Sequence, residues 1–273
     1  QQTVNRVLPL VPLKNILIVT NEVQAPEVAK QLPKLPKENI IAEPCGRDTC
    51  AAITLGAAIV GSRSTTATMA VLAADHVIPS EKKYQKVLGD CFDLAARGQA
   101  IVTIGIKPTE PATGYGYIKC GKPLPTPKGV KKYKTPFFKA ERFEEKPYFD
   151  KAVEYLADGN YRWNAGMFIF SFVTIAAALQ THQPEMEAAC HRWFEAAKTP
   201  AKLKRVLKKE YPDIRKISID FAVMEKAQNV IVADGDFDWD DLGSWNSLAH
   251  HIKPDAEGNC AVGDFIHVDA ARN

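Results

Sequence analysis

Short apolar segments rich in β-forming residues alternate with helical patterns along the first 105 residues of the chain. Such segments are typical of strands buried on both faces, and a helix between successive strands allows them to run parallel. The alternation therefore predicts an α/β fold with a mixed, mostly parallel sheet flanked by helices. The pattern predicts strands at residues 16–20, 39–42, 69–73 and 100–105, and helices at residues 22–31, 48–60 and 81–97.

From Gly114 onward the pattern changes. A stretch rich in Pro, Gly and Lys at residues 121–136 predicts an exposed loop or hairpin arm. Ser218 is expected to cap a short helix with Asp220 in its first turn, where a negative charge suits the helix dipole. The other predicted elements are strands at residues 116–120, 137–144, 165–170 and 229–233, helices at residues 148–157 and 244–252, and several helices before residue 210.

Composition narrows the class of protein. A net charge of +3, from 35 basic and 32 acidic residues, is too small to indicate binding to nucleic acid or to an anionic membrane. The six cysteines are scattered without a CxxC pair, which favours reduced thiols over a zinc site or a disulfide framework. Since no apolar run approaches the length of a membrane span, we expect a cytoplasmic protein. The basic stretch at residues 198–209 is interpreted as a solvated helix face.

Six clusters of acidic, basic and glycine residues follow or precede the predicted strands. In sheets of this kind ligands bind beyond the carboxyl ends of the strands, so the clusters are expected to share one crevice. Asp48 or Thr49 is also placed to cap the helix that follows it. The candidate site residues are Glu43, Arg47, Asp48 and Thr49 in EPCGRDT, Asp75 in AADH, Gly114 and Tyr115 in TGYGY, Glu145 and Lys146 in EEKP, Asn164 and Gly166 in WNAG, and Asp240 and Asp241 in DWDDLGSW.

These residue types suit phosphate chemistry. Magnesium prefers carboxylate oxygens and keeps several waters, so Asp75 and one of Asp240 and Asp241 make a sufficient site together with substrate phosphates. Lys146 offers a compact positive charge for a phosphate. The neighbouring Glu145 can accept hydrogen bonds from sugar hydroxyls.

The motifs together resemble the bacterial mannose-1-phosphate guanylyltransferase family within the nucleotidyltransferases. The resemblance runs from NILIVTNE near the N-terminus through IIAEPCGRDT, AADHVI, GIKPTEPATGYGYI, RFEEKP, YRWNAGMFIF and ISIDFAVMEK to WDDLGSW. It implies a Rossmann-like fold of the nucleotide-diphospho-sugar transferase type. It also implies that residues 1–258 are the catalytic domain, and that the alternating residues 259–273 begin a small C-terminal β region.

The resemblance implies a reaction in which GTP and mannose 1-phosphate give GDP-mannose and pyrophosphate. Asp75 and Asp241 would coordinate Mg²⁺, with Asp75 also near the nucleotide and Lys146 acting on the sugar phosphate. Glu145 and Lys146, with Gly114, Tyr115, Asn164 and Gly166, would form the sugar pocket. Glu43, Arg47, Asp48 and Thr49 would lie near the guanine. The implied partners are small molecules, with no nucleic acid and no membrane, and a homodimer is left open.

The chain departs from the family pattern in three places. Asp48 and Ala73 stand where the family usually has Asn and Pro. The family's Gly-rich phosphate loop is not in the sequence, and we expect it upstream of Gln1. Two alternatives stay open: a pyrophosphorylase for glucose 1-phosphate with UTP or dTTP, and a non-catalytic sugar-nucleotide-binding subunit. A structural α/β protein with incidental motifs is the remaining interpretation.

Overall fold

The computed structural model describes residues 1–127, 130, 133–243, 247, 251–261, 263, 268 and 271. Helices and short strands alternate through the described part of the chain. The α-helices are α1 (Gln2–Val7), α2 (Ala25–Gln31), α3 (Asp48–Arg63), α4 (Glu81–Arg97), α5 (Phe149–Asp158), α6 (Phe172–His182), α7 (Pro184–Ala197) and α8 (Pro200–Glu210). The strands are β1 (Ile18–Asn21), β2 (Ile40–Glu43), β3 (Thr68–Val71), β4 (Ile101–Ile106), β5 (Tyr117–Pro123), β6 (Phe137–Glu144), β7 (Tyr161–Ser171) and β8 (Val230–Gly235).

The strands form two sheets. Strands β1 and β2 pair with each other, and the other six follow the order β3-β7-β4-β8-β6-β5. An additional pairing between β5 and β7 closes five of these strands into a ring. Closure brings the start of β5, the end of β6 and the start of β7 into contact, because Tyr117 is paired with both Glu144 and Trp163.

The α/β class is confirmed, but the expectation of a mostly parallel sheet is wrong for the hydrogen-bonded pairs. Only β1–β2 and β4–β8 are parallel among the described pairs. The pairs β3–β7, β4–β7, β5–β6, β5–β7 and β6–β8 are antiparallel. The reason is that β7 lies between β3 and β4 and runs opposite to both. An apolar run predicts a buried strand but does not identify its partner.

Helices cover both faces of the larger sheet, as predicted. Successive side chains of a strand point to opposite faces. On β7, Phe168 and Phe170 lie in one apolar core with residues of α3, α6, α7 and α8. Met167 and Ile169 lie in a second core with residues of α4 and α5. The basic stretch is also confirmed as a solvated face, since α8 buries Leu203 and Leu207 and exposes its lysines.

Strand β7 is longer than predicted and has an irregularity in the middle. Its pairing with β4 runs from Val102 opposite Ile169 to Ile106 opposite Trp163, with a register shift between Thr103 and Gly105. Gly166 within this irregularity has a φ of 62°, a conformation that glycine adopts without a steric penalty. The WNAG motif therefore lies inside a strand, not at a strand end.

The predicted helix caps are confirmed at one position and wrong at another. The Ser218 hydroxyl accepts from the Phe221 N–H at 3.4 Å, before a π-helix at Asp220–Met224. Helix α3 instead begins at Asp48 without a side-chain cap. Asp48 Oδ1 accepts from the adjacent Thr49 N–H at 2.7 Å, and Thr49 Oγ1 accepts from Ile219 N–H at 2.9 Å. The Thr49 hydroxyl therefore binds the segment at Ile219 to the start of α3 and does not cap the helix.

Some predictions concern residues outside the described ranges. The helix expected at residues 244–252 and the β region expected after Asn259 fall mostly on such residues, as does part of the loop at residues 121–136. Within the described ranges, no helix is long and apolar enough to cross a membrane. The thiols of Cys45, Cys50, Cys91, Cys120 and Cys190 form no disulfide.

Two glycines of α3 give a matched test of the packing between α3 and α6. A Cβ at Gly61 would lie 2.5 Å from the Phe172 ring, whereas one at Gly56 would lie 3.9 Å from Val19. Both Gly→Ala changes favour the helix, by roughly 0.5–1 kcal/mol. Overpacking should nevertheless make Gly61→Ala less stable than Gly56→Ala by about 1–3 kcal/mol, as measured by urea unfolding. Equal stability of the two variants would contradict the packing described for Phe172.

Candidate active site

Two acidic segments are joined by a pair of backbone hydrogen bonds. Val77 N–H donates to the Asp240 carbonyl at 2.9 Å, and Asp240 N–H donates to the Val77 carbonyl at 3.1 Å. The Trp239 indole N–H also donates to His76 Nδ1 at 3.2 Å. The loop after β3, which carries Asp75, and the loop after β8, which carries Asp241, therefore behave as one unit.

Three carboxylates act on His76 within this unit. Burial is the largest effect and lowers the pKa of His76, while the negative charges of Asp75, Asp241 and Asp240 oppose it. The net pKa is below the ordinary value of 6.5, so His76 is neutral at pH 7. The Arg6 guanidinium, which donates to the His76 carbonyl at 3.4 Å, adds to the lowering of this pKa and is a protein cation beside the neutral ring.

The structure distinguishes between Asp240 and Asp241. Asp240 Oδ1 accepts from Leu242 N–H at 2.7 Å, and its Oδ2 lies 3.0 Å from His251 Nε2. Asp241 Oδ1 accepts from the Tyr115 hydroxyl at 3.3 Å and from Gly243 N–H at 2.9 Å. Among the described residues no partner contacts Oδ2 of Asp241. Of the two carboxylates, Asp241 is thus the one with an oxygen to which no described residue hydrogen-bonds.

Tyr115 connects the acidic unit to the rest of the site. Its ring centroid lies 5.0 Å from that of Trp163 and 5.2 Å from that of Trp239. Burial, followed by the charge of Asp241, raises the pKa of Tyr115 well above its usual range. The hydroxyl consequently stays protonated and donates to Asp241.

Gly116 and Asn164 hold two strands close together. The Asn164 N–H donates to the Gly116 carbonyl at 2.8 Å. A Cβ at Gly116 would collide with the Glu145 carboxylate and would lie 3.4 Å from the Asn164 Cβ. Only glycine fits at this position without displacing Glu145. Gly114, by contrast, has no atom within 4 Å of the place where a Cβ would stand, and it is exposed.

The side-chain amide of Asn164 has three partners. Its Oδ1 accepts from Thr103 Oγ1 at 3.2 Å and from Gly166 N–H at 3.2 Å. Its Nδ2 donates to Asp220 Oδ1 at 2.9 Å. One N–H of the amide therefore has no partner among the described residues and remains for a ligand.

Ionisation of the Glu145 carboxyl group is unfavourable in the free protein. Its side chain is 16% exposed, and Lys146 Nζ is 4.0 Å from Glu145 Oε1. Burial first, and then the charge of Asp220, raise the pKa of Glu145 to about 7, with Lys146 acting in the opposite direction and Glu225 adding to the rise. The Lys146 side chain is 64% exposed, and its backbone has a φ of 48°. A non-glycine residue in this region stores strain that is common at ligand sites.

The predicted nucleotide-binding residues pack against the segment that follows α8. Tyr211 donates its hydroxyl hydrogen bond to Glu43, and the Arg47 guanidinium donates to the Pro212 carbonyl. Cys50 N–H donates to the Ile217 carbonyl at 3.2 Å, next to the Thr49 contact described above. The end of β2 and the start of α3 are in this way fixed on residues 211–219.

The start of α3 also lies near Asp220, the residue that accepts the hydrogen bond from Asn164. The charge of Asp48 contributes to raising the pKa of Asp220, although burial is the larger cause. Asp48 itself has a φ of 65° and is exposed, as is Thr49. The predicted nucleotide and sugar residues therefore meet at Asp220.

Several residues that the structure brings into this site were not selected from the sequence motifs. Asp220 was interpreted only as a helix-dipole residue, although it belongs to the quoted ISIDFAVMEK motif. His76 and Trp239 stand next to selected aspartates, so the AADH and DWDDLGSW motifs could have indicated them. Thr103 and Tyr211 lie in an apolar run and at a helix end, and no motif marks them.

The raised pKa of Glu145 predicts a pH-dependent stability. Because the folded pKa is about 7 and the ordinary value is 4.5, the associated stability is present below about pH 4.5 and is lost as the pH rises through 7. Glu145→Gln should thus be more stable than wild type at about pH 8, by up to about 3 kcal/mol, with little difference at about pH 4.5. Thermal unfolding across this range measures the effect.

The matched control for this prediction is Glu141→Gln, which makes the same change at an exposed position on β6. It should leave the pH profile of unfolding unchanged. A Glu145→Gln protein whose gain is the same at both ends of the pH range would show that ionisation of Glu145 carries no folding cost.

Comparison with known proteins places this arrangement in a family. A sequence model of the nucleotidyl transferase family matches residues 1–258. A mannose-1-phosphate guanylyltransferase of Sinorhizobium fredii (strain NBRC 101917 / NGR234) is 37% identical over 267 residues, which are 97% of this chain and 50% of that protein. One from Escherichia coli (strain K12) is 36% identical over 255 residues, covering 92% and 52%. The chain spans about half the length of these curated relatives.

One solved structure is also similar over most of the chain. The crystal structure of a mannose-1-phosphate geranyltransferase from Thermus thermophilus has a TM-score of 0.75 and 35% identity, covering 91% of this chain and 67% of that chain. Similarity in sequence and similarity in fold thus point to the same group of proteins. This chain therefore belongs to the nucleotidyl transferase family.

Proposed function

We propose that this protein transfers GMP from GTP to mannose 1-phosphate, giving GDP-mannose and pyrophosphate. Membership in the nucleotidyl transferase family supports the class of reaction. The names of the curated relatives specify the sugar and the base, and that specificity is transferred here as part of the proposal.

The observation that carries the proposal is the junction between Val77 and Asp240. It holds the segments of Asp75 and Asp241 together, and Tyr115 links Asp241 to the group formed by Gly116 and Asn164. In this proposal the unit of Asp75 and Asp241 would face the phosphates, and the neighbouring group of Gly116 and Asn164 would receive the sugar hydroxyls. Such an arrangement fits a sugar phosphate whose phosphate reacts while its ring is held.

The donor set suits Mg²⁺. No group of three or more His, Cys, Asp and Glu within the described residues is arranged to hold a metal. Two carboxylates with substrate phosphates and waters are the usual arrangement for magnesium, and Asp75 and Asp241 supply the carboxylates. When bound, the ion neutralises phosphate charge and orients the reacting groups.

The chain's own residues would bind and orient the reactants. Asn164 and Glu145 would hold the sugar hydroxyls, with Gly114 and Gly166 allowing close approach, and Lys146 would attract the sugar phosphate. Arg47, Asp48 and Thr49, with Glu43 behind them, would border the guanine. An oxygen of the sugar phosphate attacks the α-phosphorus in line, and the bond to pyrophosphate breaks. Since no protein nucleophile takes part, positioning and charge supply the rate enhancement.

A substrate grid tests the proposed reaction. Pyrophosphate release is measured with the four common NTPs against mannose 1-phosphate and glucose 1-phosphate, and GTP with mannose 1-phosphate should give the highest kcat/KM. Preference for UTP or dTTP with glucose 1-phosphate would favour the other pyrophosphorylase. Binding of GDP-mannose without any turnover would favour a non-catalytic subunit. A protein that neither turns over nor binds these ligands would contradict both.

The two proposed metal ligands give a second prediction. Asp75→Asn and Asp241→Asn each remove a negative charge beside the phosphates, so each should lower kcat by at least about 100-fold and weaken the Mg²⁺ dependence of the rate. Initial rates across a magnesium titration measure both effects.

Asp236→Asn is the matched control for these variants. Asp236 lies between β8 and Asp241, is 91% exposed and pairs with Lys83 at 3.3 Å. Its replacement should leave the rate and the magnesium titration unchanged. Near wild-type turnover of either site variant at limiting magnesium would exclude that aspartate as a ligand.

A further inference from the structure

Asp220 has no role in the reaction proposed above, yet it is hydrogen-bonded to Asn164, one of the residues proposed to bind the sugar. It begins the π-helix Asp220–Met224 and is partly buried. Its Oδ1 accepts the 2.9 Å hydrogen bond from Asn164. A partly buried carboxylate is costly to keep charged, and no basic side chain in the described part of the chain forms an ion pair with Asp220, so its presence at this point calls for a physical reason.

The three partners of the Asn164 amide determine its orientation. A half-turn of the amide would place Nδ2 against the Gly166 N–H, which is also a donor. The same half-turn would place Oδ1 against the Asp220 carboxylate, which only accepts. The arrangement with Oδ1 towards Gly166 and Nδ2 towards Asp220 is therefore the only one that satisfies both contacts.

Asp220 is itself held by the start of α3. The residue before it, Ile219, donates its N–H to Thr49 Oγ1 at 2.9 Å, and Ile217 accepts from Cys50 N–H at 3.2 Å. Two hydrogen bonds thus fix the three residues before Asp220 on a long helix. A rigid support of this kind lets one side chain fix the geometry of another.

We propose that Asp220 is a positioning residue, which holds the Asn164 amide so that its remaining N–H is presented to a hydroxyl of the sugar 1-phosphate. The inference rests on the proposed use of Asn164 in sugar binding. Asp220 acts through Asn164 and not on the reacting phosphorus. Its loss should therefore affect the sugar phosphate and leave the nucleotide almost untouched.

The charge of Asp220 gives a second, independent readout. The ionisable groups that act on Glu145 are Asp220, Lys146 and Glu225, and Asp220 is the strongest of the three. Removing its charge lowers the pKa of Glu145. The midpoint of the pH profile of sugar-phosphate KM then moves to lower pH, whichever form of Glu145 binds the sugar. The sugar phosphate itself also ionises, but it does so equally for every variant. Its contribution therefore cancels when the KM of a variant is divided by the KM of the wild type at the same pH.

Two variants separate the hydrogen bond from the charge. Asp220→Ala removes both, so the KM for mannose 1-phosphate should rise about 10-fold or more while the KM for GTP changes less than about twofold. Asp220→Asn keeps an acceptor for Asn164 and removes the charge. Its sugar-phosphate KM should rise less than about threefold, with the midpoint of the pH profile shifted down. Asp213→Ala, at an exposed position seven residues earlier, is the control and should match wild type.

A double-mutant cycle tests whether Asp220 acts through Asn164. The variant carrying both Asn164→Ala and Asp220→Ala should have the sugar-phosphate KM of Asn164→Ala alone, because the partner of Asp220 is already lost. Additive effects, or a parallel rise of both KM values, would overturn the proposal. If Asp220→Ala does not fold, Asp220→Ser, whose side chain is too short to reach Asn164, replaces it in the cycle, and an unchanged sugar-phosphate KM of that variant overturns the proposal.

The experiment also separates this inference from the proposed function. A wild-type protein that uses or binds no sugar 1-phosphate would refute the proposed function before the variants are compared. A wild-type protein that uses mannose 1-phosphate, with an Asp220→Ala variant of unchanged sugar-phosphate KM, would refute the role of Asp220 alone.

Discussion

Strand β7 makes hydrogen bonds with three neighbouring strands along its 11 residues, and the site depends on that arrangement. Its C-terminal half pairs with β3, its middle with β4 and its start with β5. The irregularity at Gly166 bends the strand between these partners, as bulges do. As a result Asn164 is bonded through its backbone to Gly116 and through its side chain to Thr103 and Asp220.

The site concentrates negative charge that the free protein compensates only in part. Asp75, Asp240 and Asp241 surround His76, whose burial keeps it neutral. Near Asn164, burial raises the pKa values of Glu145 and Asp220, and the charge of Glu225 contributes to both rises. Repulsion among fixed carboxylates destabilises the free protein and favours any cation or hydrogen-bond donor that binds them. The instability and the affinity for ligands therefore have the same electrostatic origin.

Local patterns in the sequence predicted the elements better than their partners. Helix α4 and strand β6 have the predicted bounds, because each carries a clear periodicity and clear ends. The position of β7 between β3 and β4 was not predicted, since pairing is decided by contacts between residues far apart in the chain, such as Thr68 with Ser171 and Val102 with Ile169. The six motifs identified most of the residues of the site. Asp220 was missed because the helix dipole alone explains an Asp at a helix start. Its hydrogen bond with Asn164 depends on the three-dimensional structure and leaves no signal in the local sequence.

One continuous series of contacts connects the predicted nucleotide residues to the acidic centre. Thr49 holds Ile219, and the adjacent Asp220 holds Asn164. Asn164 then holds Gly116, whose neighbour Tyr115 donates to Asp241. Each contact joins a different pair of chain segments, so a shift of any one segment is transmitted to the next. In-line attack demands that a sugar phosphate and a nucleotide be aligned to within fractions of an ångström. A series of hydrogen bonds between neighbouring segments of the chain holds the side chains that would align these two reactants in fixed positions relative to one another.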